Sequence, residues 1–145
     1  LTELGRLDQS IPLQERIVAR ERLCTRCLYF MTFAYMYAGR YEDAETAVRR
    51  LRAIYGGGGH THGVILLLKG ENEAALNEFD ALGSNITPSA KLHGRALALY
   101  ALGRQEEFEA VFSELREEYG EAPGRPYFNN QAMIAQVYAW IGDRL

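Results

Sequence analysis

Cys24-Thr25-Arg26-Cys27 holds the only two cysteines of the chain, at CxxC spacing. Two thiols so placed can form a redox dithiol or half of a zinc site. A zinc site needs two further ligands, and the chain contains no second CxxC. A redox motif of the thioredoxin kind follows a strand; here the pair opens a helical pattern in a chain that reads as helical throughout. The expectation is two small thiols that are buried or half-buried and structural, with a redox role as the alternative.

His60 and His62, with His93 further on, are the remaining metal-ligand types. Residues two apart do not share a helix face, so His62 points away from His60. No metal or cofactor is expected. His60 and His93 suit a hydrogen-bonding or pH-sensitive contact better. The run Gly56-Gly57-Gly58-Gly59 lacks the Lys and Ser/Thr of a phosphate loop and reads as a linker. Arg49, Arg50 and Arg52 read as a solvated basic face. Glu106, Glu107, Glu109, Glu114, Glu117 and Glu118 read as an acidic one. No Ser/His/Asp or Cys/His grouping emerges, so no catalytic residues are assigned and an enzyme is not expected.

The elements that carry these residues follow from punctuation. With 145 residues, 48% of them hydrophobic and 24% charged, the chain can bury a real core. Four prolines leave long helices permitted almost everywhere. Gly5, Gly39, Gly70, Gly103 and Gly142 stand 34, 31, 33 and 39 residues apart, each between two helical patterns. Glycine is the residue that closes a helix in a left-handed turn. Core types fall in phase with these glycines. Tyr35, Leu66, Leu99 and Tyr138 stand four before, and the small Thr32, Gly63, Ala96 and Ala135 seven before. Ser10, Ala44, Ala75 and Phe108 stand five after, and Gln14, Val48, Phe79 and Phe112 nine after. Ile17, Leu51, Leu82 and Leu115 stand twelve after. Small residues let helices approach and large ones fill the space between. The pattern predicts eight helices, at about 7–22, 25–38, 41–55, 60–69, 72–82, 88–102, 105–119 and 127–141. Thr87-Pro88 marks one start, and Gly120 with the loop 120–126 one end.

This spacing resembles the tetratricopeptide repeat, most closely around Ala38-Gly39-Arg40-Tyr41-Glu42-Asp43-Ala44. Phe108 departs from the usual alanine. The resemblance implies an all-α fold, a right-handed superhelix of antiparallel helix pairs. It implies one domain over 1–145: a partial repeat at 1–22, full repeats at 25–55, 56–87 and 88–122, and a partial repeat at 127–145. The opening at Leu1 reads as mid-helix, so the chain is expected to be a fragment of a longer protein. Its uncapped ends are expected to expose apolar surface, with Ile134, Val137, Tyr138 and Ile141 at the far end, and to permit homo-oligomers.

In such repeats the first helix of each pair lines a concave face that binds a partner. The matching positions are Tyr29, Phe33, Met36 and Tyr37; His60, Val64, Leu67 and Leu68; His93, Leu97, Tyr100 and Ala101; and Ala132, Gln136, Ala139 and Trp140. The partner-binding set is taken as Tyr29, Phe33, Met36, Tyr37, His60, Val64, Leu67, His93, Leu97 and Tyr100. A groove of aromatic and methionine side chains fits a protein or peptide. Repeats that clamp the C-terminal carboxylate of chaperones carry lysine, asparagine and arginine here. This chain has Tyr29, Phe33, Val64, Ala90 and Gly94 instead, which argues against that role. The region 134–144 is similar to tetratricopeptide regions of bacterial adenylate cyclases and winged-helix regulators, which implies a sensory or self-association domain as an alternative to a scaffold. The net charge of −3 gives no general attraction to nucleic acid or anionic membrane. No apolar run approaches the roughly 20 residues of a spanning helix, and a cytoplasmic location is expected.

Overall fold

The computed structural model describes residues 5–84, 86–119 and 128–142; side chains are described to residue 117 and again from 132. Among these the chain is all-helical and contains no strand. The helices are α1 (Leu7–Arg20), α2 (Thr25–Tyr37), α3 (Tyr41–Tyr55), α4 (Gly59–Leu68), α5 (Asn72–Asp80), α6 (Pro88–Ala101), α7 (Gln105–Tyr119) and α8 (Phe128–Ile141). Each lies within two residues of its expected bounds. The expected Gly120 cap and the loop 120–126 lie outside the described residues.

The phased glycines act as read. Gly5, Gly39, Gly70, Gly103 and Gly142 all have φ between 70° and 80°. At Gly39 the turn closes with its own backbone: Gly39 N–H donates to Met36 O at 3.1 Å and Arg40 N–H to Tyr35 O at 2.9 Å. Those two bonds satisfy carbonyls that the end of α2 would leave orphaned. Gly103 and Arg104 repeat them on Tyr100 and Leu99, each at 3.0 Å. Thr87 caps α6 by accepting from Ala90 N–H at 3.4 Å, with Pro88 in the first turn.

The helices gather into two compact units, Leu1–Lys69 and Gly70–Leu145. In the first, α1, α2 and α3 pack in sequence and α4 packs on α3. Its core runs from Ile11 and Val18 through Leu28, Ala34 and Ala44 to Val48, Leu51 and Ile65. The fully buried Thr32 Oγ1 donates to Leu28 O at 2.8 Å, so a hydroxyl in the core is satisfied by its own helix.

In the second unit α6 is the central helix, packed by α5, α7 and α8. Phe79 of α5 is fully buried, and Gly94 of α6 makes room for it: a Cβ at Gly94 would stand 2.2 Å from the Phe79 ring. Phe108, the one large residue among those five after a phased glycine, is absorbed by an aromatic stack. Its ring lies 5.3 Å from Tyr100 and 5.5 Å from Phe112, and Phe112 lies 5.1 Å from Tyr138. This corrects one expectation. The face of α8 expected to be exposed packs inward: Val137 is fully buried, Tyr138 joins the stack, and Ile134 and Ile141 are half-buried. α8 buries its apolar stripe on α6 and α7, because that removes more apolar surface from water than leaving it exposed. Among the described residues no helix is long and apolar enough to cross a membrane.

Candidate functional site

The residues with the clearest chemical and recognition potential collect on α2. Its sequence is apolar on all sides, and packing uses only part of it. Leu28, Met31, Thr32, Ala34 and Tyr35 turn into the core. Tyr29 (43% exposed), Phe30 (49%) and Tyr37 (66%) stay at the surface. Phe33 and Met36 are half-buried between them. Spacing of four places Tyr29, Phe33 and Tyr37 in one row. Their rings touch in series, at 4.8 Å from Tyr29 to Phe33 and 6.3 Å from Phe33 to Tyr37. Phe30 adds a T-shaped contact with Tyr29 at 6.0 Å and carries the Arg26 guanidinium 5.8 Å above its ring.

The other expected groove residues divide. On α4, His60 and Val64 are half-buried, and burial lowers the pKa of His60 by disfavouring its charged form. Leu67 is buried, as are His93 and Leu97 on α6. These three are withdrawn from the surface, and their place in a binding face is corrected to a packing role. Tyr100 is half-buried, stacked on Phe108, and its hydroxyl donates to Ile141 O at 3.4 Å. His60 and His93 belong to different units.

The cysteines are not separate thiols. Cys24 and Cys27 are joined as a disulfide, with Cα atoms 5.2 Å apart. The local geometry explains the closure. Cys24 is the N-cap of α2 in an extended conformation, and Cys27 sits one turn inside, so both side chains reach the same end of the helix. The Cys27 N–H donates to Cys24 Sγ at 3.2 Å. Both residues are half-buried. A pocket of about 280 Å³ opens beside the bond, lined by Gln14, Ile17, Cys24, Arg26, Cys27 and Phe30. Sequence reasoning left Ile17 and Phe30 out of any site. Phe30 follows Cys27 by three residues and so shares its helix face, a signal the repeat offsets passed over. Among the described residues, one group of three metal-ligand types, Glu21, Cys24 and Cys27, lies within 4.8 Å, but its two sulfurs are bonded to each other.

Two polar networks hold the frame of this unit. Tyr35 donates to Glu15 at 2.8 Å while Arg40 lies 4.5 Å over its ring, 3.5 Å from Glu15 and 2.6 Å from Asp43. Desolvation, then the bond to Glu15, pushes the Tyr35 phenol up to about 12. Glu45 on α3 is buried, with Lys69 Nζ at 2.6 Å, His62 Nε2 at 3.6 Å and Arg49 in contact. The hydrogen bond from Lys69 holds its carboxyl below the usual range.

Comparison of the chain with protein-family models, curated proteins and solved structures finds no match.

Proposed function

We propose that the chain is a tetratricopeptide-like scaffold that binds an extended or helical segment of a partner protein through the aromatic row on α2. The row of Tyr29, Phe33 and Tyr37 carries this reading. Large apolar rings left in water on a folded unit, in mutual contact and flanked by Met36, are unfavourable unless something covers them. Tyrosine offers a rigid apolar body with a polar tip, which suits a surface that must be stable both wet and covered. The turn geometry and the phased small residues support the repeat assignment. His60 and Val64, half-buried on α4, supply further contact area. On this reading the aromatic row works in the cytoplasm as a binding surface that itself does no chemistry and needs no metal or cofactor. Its partner is a protein or peptide rather than nucleic acid or membrane.

Peptides selected from a randomised display library against the chain provide the probe. Their affinity by fluorescence anisotropy is expected to fall roughly tenfold or more when Tyr29 and Tyr37 are both replaced by alanine, the range of a lost aromatic anchor. The thermal midpoint should be unchanged, because both side chains are exposed. Equal affinity for the double variant, or its melting at lower temperature, would refute the assignment.

A further inference from the structure

We infer that Cys24 and Cys27 form a thiol–disulfide exchange site whose substrate is a peptide disulfide flanked by an apolar side chain. The site lies beside the aromatic row but does not depend on partner binding there. A bond across three residues of one helix start closes almost no chain, and the stabilisation a disulfide gives is least for the shortest loops. It ties together nothing that α2 does not already hold. The surroundings favour chemistry instead. Cys24 Sγ sits at the positive end of a helix of 13 residues and receives the Cys27 N–H at 3.2 Å. Both features stabilise a thiolate on that sulfur. Arg26, between the cysteines, adds positive charge and lines the adjoining pocket. The Glu21 carboxylate lies within 4.8 Å of both sulfurs, an acceptor for the proton of Cys27. The pocket provides apolar contact through Ile17 and Phe30, which are 39% and 49% exposed despite their character.

The reaction follows from these positions. In the reduced pair, Cys24 thiolate attacks one sulfur of the substrate disulfide. That S–S bond breaks, a mixed disulfide forms at Cys24, and the departing thiolate takes a proton from water. Cys27, its proton passed to Glu21 and then to water, attacks Cys24 Sγ. The internal disulfide forms and the second substrate thiolate leaves. Two electrons pass from the cysteine pair to the substrate, whose two sulfurs end as thiols. The bonded pair in the structure is the oxidised end of this cycle, and a low-molecular-weight thiol such as glutathione returns it to the dithiol in two further exchanges.

The test uses the full chain. Incubated across a series of reduced-to-oxidised glutathione ratios, acid-quenched, alkylated and weighed by mass spectrometry, the unmutated protein should pass between disulfide and dithiol within the series. A bond that survives the most reducing buffer is a structural staple and overturns the inference. The Cys27→Ser variant, given a fluorogenic peptide disulfide with leucine beside its cysteine, should accumulate a mixed disulfide at Cys24 at least about tenfold faster than Cys24→Ser does at Cys27. Equal trapping by the two variants contradicts the assigned roles. Phe30→Ser should slow exchange with the leucine-flanked peptide roughly fivefold, as loss of a partly buried ring contact implies, and leave exchange with glutathione disulfide unchanged. An equal effect on both substrates, or none on either, removes the apolar substrate class. Because Phe30 is half exposed, circular dichroism of this variant should match that of the parent.

Discussion

Replacing Gly94 by alanine drives one methyl group into the ring of Phe79. The new carbon would stand 2.2 Å from Cδ1, 2.4 Å from Cε1 and 2.7 Å from Cγ. Carbon atoms in good contact sit about 3.5–4.0 Å apart, so ring or helix must retreat by more than an ångström. Phe79 is fully buried and has nowhere open to turn. Overpacking of a filled core costs roughly 1–3 kcal/mol, and an overlap this deep belongs in the upper part of that range. Alanine returns about 1 kcal/mol through its better helix propensity. The net expectation is a loss of about 1–2 kcal/mol. For a unit of this size that lowers the thermal midpoint by roughly 5–15 °C. Urea and thermal unfolding of the full chain, followed by circular dichroism, measure it. Phe79→Leu should destabilise alone yet relieve Gly94→Ala when combined, with a coupling of about 1 kcal/mol or more in the double-mutant cycle. A Gly94→Ala protein as stable as the parent would show that propensity outweighs contact, and the close approach of α5 to α6 would be refuted.

Further outcomes rest on the polar networks and one cap. The Tyr35 phenol is pushed up to about 12 from 10.0, so its contribution to stability is complete below pH 10 and is lost as pH rises towards 12; Tyr35→Phe should flatten that alkaline limb in urea midpoints measured across the range. Glu45 is held below the usual carboxylate range, so its contribution is present at neutral pH and is lost as pH falls through the folded value. Glu45→Ala should cost about 2–3 kcal/mol at pH 7 by leaving Lys69, 15% exposed, without its closest partner, and the acid limb of the urea midpoints should become shallower. Thr87→Ala should cost about 1 kcal/mol in chemical denaturation through loss of the α6 cap.

Much of the fold was legible because one glycine per turn sets the phase and the core types keep it. Thr32, Ala44, Ala75 and Ala96 are fully buried at their small offsets, and Val48, Phe79 and Leu115 are nearly or completely buried at their large ones. Ile17 keeps the offset of Leu51 and Leu115 yet is 39% exposed, because periodicity places a residue on a face but does not supply the neighbour that covers it. The same limit explains Leu67, His93 and Leu97: offsets borrowed from a repeat pattern describe a face, while burial depends on how close the adjacent helix comes. Val137 failed in the opposite sense, since the preceding pair could cover it. The disulfide was hidden for a different reason. CxxC fixes the sequence interval, whereas bonding depends on Cys24 leaving the helix at its N-cap while Cys27 stays inside.

The backbone closure at Gly39 and Gly103 draws nothing from distant parts of the molecule; each turn carries its own donors, acceptors and left-handed residue. A gene segment copied from one such glycine to the next would bring a complete corner with it. Segments bounded by such glycines can therefore be inserted or removed with their corners intact, and the side chains beside each glycine stay free to diverge.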